Sequence, residues 1–85
     1  METATLSLYH YQSCPFCEFV GRAIDRLGIQ IELRDIQRDP AHRNALVEAT
    51  GRMTVPCLRI DEVPGQSTWM HESANIVRFL EGWAS

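Results

Sequence analysis

Ser13-Cys14-Pro15-Phe16-Cys17-Glu18-Phe19-Val20 is the stretch on which the fold turns. Before it, Thr5 to His10 reads as a strand with Leu6 and Leu8 on one face. After it, Phe16, Phe19, Val20, Ala23, Ile24 and Leu27 recur at helical spacing and make one apolar stripe. Gly28 stands where a helix end favours a left-handed residue. The two cysteines therefore fall at a strand-to-helix junction, with Cys14 at the helix start and Cys17 one turn in.

Working outward, Ile29, Ile31 and Leu33 alternate with Gln30, Glu32 and Arg34, the pattern of a half-buried strand. Asp39-Pro40 is a helix start, an N-cap acceptor followed by proline at the first helical position. That helix is expected to turn Ala41, Ala45, Leu46 and Ala49 inward and to stop at Gly51. Cys57 to Ile60 reads as a strand, Asp61 to Gly65 as a turn punctuated by Pro64-Gly65, and Thr68 to Met70 as a short strand. Ser73 is expected to cap a last helix that buries Ile76, Val77, Leu80 and Trp83. The order is β-α-β-α-β-β-α. A first β-α-β unit demands a right-handed crossover and a parallel pair. The last two strands are close enough for a hairpin. An α/β fold follows, a four-stranded mixed sheet flanked by three helices, with residues 1–85 as a single domain.

Composition narrows the function. Apolar residues are 45 % and charged residues 22 %, enough for a core and without a low-complexity tract. The net charge is −3 and no basic stripe stands out, so nucleic acid is not an expected partner. All eight basic residues are arginine, so any carboxylate gripped by a side-chain cation meets a planar guanidinium. Met1-Glu2-Thr3-Ala4-Thr5 lacks the pattern of a secretory signal, and no stretch has the length of a membrane span. The chain is therefore expected in the reducing cytoplasm, without a membrane partner. Three cysteines there suit catalysis or metal binding better than a disulfide framework.

A thiol at a helix N-terminus loses its proton more readily, because free N–H groups and the macrodipole favour negative charge there. Cys14 receives most of that effect. Cys17, under the apolar stripe, is expected to be less exposed and less acidic. Roles follow: Cys14 attacks a disulfide sulfur, and Cys17 resolves the mixed disulfide by attacking Cys14. Pro15 suits the first turn, where its missing N–H is not needed. A zinc site would need a second pair at suitable spacing. Cys57 and His71 lie far apart in sequence, and no metal is expected.

With these pieces in place the chain resembles glutaredoxins along nearly its whole length. The likeness is carried by Leu6-Ser7-Leu8-Tyr9, by Cys14-Pro15-Phe16-Cys17, by Thr54-Val55-Pro56 and by the closing helix. It implies a thioredoxin fold, a redox disulfide between Cys14 and Cys17, and glutathione as co-substrate. It also implies a cis Pro56 facing the cysteines and a Val55 backbone that pairs with the cysteinyl part of glutathione. The segment Trp69-Met70-His71-Glu72-Ser73-Ala74 departs from that family and resembles the N-terminal domain of glutathione transferases. There, the likeness implies, the N–H and hydroxyl of Ser73 bind the glutathione α-carboxylate and Glu72 binds its α-amino group. Many glutaredoxins carry lysine where this chain has Tyr11, a phenol that can donate a hydrogen bond but brings no positive charge. Arg52 reads either as the replacement cation for the glycine carboxylate or as a solvated surface arginine.

Phe16 reads as a stacking surface for substrate or as core. Cys57 reads as a small buried core residue or as a third redox thiol. His10 reads as a structural histidine or as a modulator of Cys14. Trp69 and Trp83 read as packing residues. The expected activity is glutathione-dependent reduction of protein disulfides or protein–glutathione mixed disulfides by a monomer. Its competitors are a thioredoxin-like reductant recharged by a flavin reductase, a glutathione-ligated [2Fe–2S] carrier and a non-catalytic glutathione-binding module.

Overall fold

A computed structural model describes residues 4–63 and 65–84. The elements run β1 (Thr5–His10), α1 (Pro15–Leu27), β2 (Glu32–Asp35), α2 (Pro40–Thr50), β3 (Cys57–Val63), β4 (Gln66–Met70) and α3 (Ser73–Ala84). The sheet order is β2-β1-β3-β4, with β1 parallel to β2 and antiparallel to β3, and β3 antiparallel to β4. This is the thioredoxin fold that the sequence leads one to expect.

Alternation along β1 sorts its side chains between two cores. Leu6 and Leu8 join Leu58 and Ile60 from β3 under Val20 and Ile24 of α1 and Ile76 and Leu80 of α3. Tyr9 points the other way, joining Cys57, Ile36 and Leu46 of α2. So α1 and α3 cover one face and α2 the other. Each fully buried leucine or isoleucine contributes about 1.5–3 kcal/mol. Asp39 caps α2 by accepting from Ala41 N–H at 2.9 Å. Gly28 and Gly51 end α1 and α2 at φ of 66° and 78°, the left-handed region where a Cβ is disfavoured.

Several expectations are corrected. The second strand starts at Glu32, so Ile29 and Ile31 pack on the core from the preceding segment. Leu33 is exposed on the outer edge strand, which has a neighbour on one side only. Phe19 is 44 % exposed, because the buried stripe of α1 runs through Cys17, Val20, Ala23 and Ile24 instead. In α2 only Leu46 is fully buried; Ala41 and Ala49 face solvent. Residues 61–63 belong to β3, with a register shift between Asp61 and Val63, and are not part of a turn. Pro64 lies outside the described residues. Ser73 is the first helical residue of α3, one place after the cap, and Trp83 stacks on Phe79 at the surface at 6.0 Å between ring centres. No described helix is long and apolar enough to cross a membrane.

Candidate active site at the start of the first helix

Cys14 is the N-cap of α1. Its backbone is extended (φ −85°, ψ 115°), its carbonyl accepts from Glu18 N–H at 3.0 Å, and its N–H donates to the Tyr11 carbonyl at 3.3 Å. Pro15 follows in the first turn. The Cys14 sulfur turns inward and accepts the Cys17 backbone N–H at 3.2 Å. Both thiols are free and both are buried, 3 % exposed at Cys14 and 5 % at Cys17. The expected difference in exposure is therefore absent, since capping draws the first sulfur onto the helix. Their chemistry still differs. Burial, the hydrogen bond to the Cys14 side chain and the charges of Cys14 and Asp35 push the Cys17 thiol up to about 12, against a hydrogen bond from the Tyr11 backbone.

Beside this turn lies a cavity of about 230 Å³. Phe16 comes to it from α1, Arg52, Thr54, Val55 and Pro56 from the segment between α2 and β3, and His71, Glu72 and Ser73 from the entry to α3. The Val55–Pro56 peptide is cis. Phe16 is 64 % exposed, an open aromatic face rather than core. The N-terminus of α3 opens here, a place where free N–H groups suit an anion, with an exposed carboxylate one residue before it. Glu72 stands at φ 72°, and its carbonyl accepts from Ile76 N–H at 3.0 Å. Left-handed backbone costs a side-chain-bearing residue about 1–2 kcal/mol.

Six of the seven residues expected to bind glutathione thus meet around one space. The seventh, Tyr11, does not line it; its ring packs against the Tyr9–Leu46 core and its backbone serves the cysteines. Sequence reasoning missed His71 and passed over Thr54 as a lining residue. The signal for His71 was its place directly before Glu72-Ser73. Separation in sequence also misled about Cys57 and His71, for the Cys57 sulfur and His71 Nε2 lie 3.8 Å apart. Cys57 is fully buried, and that burial pushes its thiol up to about 11. His10 is half-buried and its carbonyl accepts from Ile36 N–H at 2.9 Å. Trp69 lies 5.2 Å from Tyr9, ring to ring. A larger surface depression of about 670 Å³ sits at the other end of β1, between residues 27–32 and Trp83; no cysteine lines either space, and only the smaller one reaches the cysteine motif, through Phe16.

The glutaredoxin family model matches residues 6–64. Glutaredoxin 3 of Escherichia coli (strain K12) is 28 % identical over 58 residues, covering 68 % of this chain and 70 % of that protein. Among solved structures, maleylacetoacetate isomerase from Anaeromyxobacter dehalogenans 2CP-1 with bound glutathione superposes with a TM-score of 0.72 at 23 % identity, over 99 % of this chain. The match spans only 39 % of the isomerase. A buckwheat glutaredoxin–glutathione complex is similar over 65 % of this chain and 53 % of its own, at 26 % identity and a TM-score of 0.55.

Proposed function

The chain belongs to the glutaredoxin family, and from that premise we propose that it is a glutathione-dependent thiol–disulfide oxidoreductase acting on protein disulfides or protein–glutathione mixed disulfides. The observation that carries this reading is that a cavity walled by Phe16, Arg52, Val55, Pro56, Glu72 and Ser73 adjoins, through Phe16, the first turn of the helix that Cys14 caps.

In that cavity an extended glutathione pairs with the Val55 backbone as an added strand would. Ser73 and the start of α3 take its α-carboxylate, Glu72 its ammonium group, and Arg52 its glycine carboxylate. Phe16 stacks against the bound thiol's backbone. The Cys14 thiolate attacks the glutathionyl sulfur of the substrate, forming a Cys14–glutathione disulfide and expelling the protein thiolate. A second glutathione thiolate then attacks the glutathionyl sulfur, giving glutathione disulfide and restoring the Cys14 thiolate. With a protein disulfide, Cys17 instead gives up its proton and attacks the Cys14 sulfur, closing the Cys14–Cys17 disulfide and releasing the reduced protein. Burial is the main hold on the Cys17 proton, and the Cys14 hydrogen bond and charge add to it; forming the mixed disulfide discharges Cys14 and removes that smaller part of the hold. The chain is proposed to work as a single domain and a monomer in the cytoplasm, serving cellular redox balance and electron transfer to disulfides.

The test is Cys17→Ser in a glutathione-coupled deglutathionylation assay. Retained turnover supports the route through glutathione alone; a dead variant beside an active wild type overturns it.

A further inference from the structure

His71 joins the two sides of the cavity. Its Nε2 lies 3.8 Å from the Cys57 sulfur, and Cys57 directly follows Pro56 at the start of β3. On its other side it is bonded to Glu72, whose left-handed backbone turns the chain into α3. Burial and the Arg52 charge lower the proton affinity of the ring below its ordinary value, against the opposite pull of Glu72, and so favour the neutral form. In one tautomer Nε2–H donates to sulfur; in the other the thiol donates to Nε2. Nδ1 is buried with no hydrogen-bond partner among the described residues. Leaving a buried polar atom unpaired costs about 1–3 kcal/mol, so the ring is held there by its surroundings and not by its own bonding alone.

We propose that His71 is a positioning residue that holds the Glu72–Ser73 wall against β3 through Cys57, and so sets how tightly the γ-glutamyl end of glutathione is gripped. This role rests on reading the cavity as a glutathione site. The anchor adds to the Ile76 N–H bond to the Glu72 carbonyl in holding Glu72 in a backbone conformation that L-residues disfavour. With the anchor removed, the Glu72 carboxylate and the Ser73 N–H would no longer converge on one ligand end.

The experiment is an NMR titration of the reduced protein with S-methylglutathione and with S-methyl-cysteinylglycine, which lacks the γ-glutamyl group. For His71→Leu the dissociation constant for the first ligand should rise about tenfold, the loss of one hydrogen-bonded anchor, while that for the second stays unchanged. His71→Gln, whose side-chain amide reaches the same sulfur, should recover most of the loss. Cys57→Ala should reproduce the effect, and the double variant should be no worse than either single one. Equal weakening of both ligands, or of neither, overturns the proposal, as does a double variant whose losses add. Should His71→Leu fail to fold, His71→Gln and Cys57→Ala decide by the same criterion. A wild type that does not prefer S-methylglutathione refutes the glutathione reading itself, and this role with it.

Discussion

The backbone N–H of Cys17 donates to the sulfur of Cys14 at 3.2 Å. The residue assigned as nucleophile is therefore also the cap of its own helix, and the two customary inactive variants are not equivalent. Serine is among the best N-cap residues and alanine among the poor ones. Cys14→Ser should be as stable as the wild type or more so, whereas Cys14→Ala should lose about 1 kcal/mol. Urea unfolding of the two variants decides it; equal midpoints would show that the sulfur contributes nothing as a cap.

Labelling should separate the thiols. Cys17 is pushed up to about 12 and Cys57 to about 11, chiefly by burial. An acid whose proton affinity is raised stays protonated below that value, and the thiolate is the species that alkylates. One equivalent of iodoacetamide at neutral pH should modify Cys14 and spare the other two, read by peptide mass spectrometry. Labelling at Cys17 should grow as the pH climbs toward its value. Equal rates at Cys14 and Cys17 near neutrality would remove the basis for giving them different roles.

The hairpin that delivers His71 to the cavity has its own pH signature. Burial opposes ionisation of Asp61, but hydrogen bonds from Ser67 and from Arg59 Nε at 3.1 Å hold the carboxyl below its ordinary value of 3.8. A carboxylate with a lowered folded value stabilises the fold above its unfolded value, and that contribution fades as pH falls. Asp61→Asn should thus melt below the wild type at pH 7, with the gap closing as the pH drops through 3.8 and beyond. A gap that persists in acid would assign the loss to packing instead of charge.

Element order was legible because its punctuation is local: Gly28, Asp39-Pro40 and Gly51 act through their own backbones and caps. Side-chain burial was less so. Leu33 fits an alternating strand, yet only its place at the sheet edge makes it exposed. The cysteine pair was readable from spacing, but the inward turn of Cys14 depends on cap geometry that spacing does not encode. Around the cavity, Pro56, Glu72 and Ser73 were found through motifs. His71 was not, because its partner Cys57 is a neighbour in space and not along the chain.

Glu72 offers the sharpest separation of stability from function. It is the only described residue other than glycine with positive φ, at 72°, and it lines the cavity at the entry to α3. Glycine adopts that conformation freely, so Glu72→Gly should relieve up to about 1–2 kcal/mol of backbone strain and raise the melting temperature. The same change deletes the carboxylate assigned to the ligand's ammonium group, so S-methylglutathione should bind more weakly. Glu72→Gln keeps the strain and removes only the charge; it should melt with the wild type and still bind poorly. Thermal melts and ligand titrations of the three proteins give two independent readings. If glycine binds as well as glutamate, the carboxylate has no ligand to hold; if glycine melts lower, the side chain supports the fold, and strain at this corner is not being held for binding.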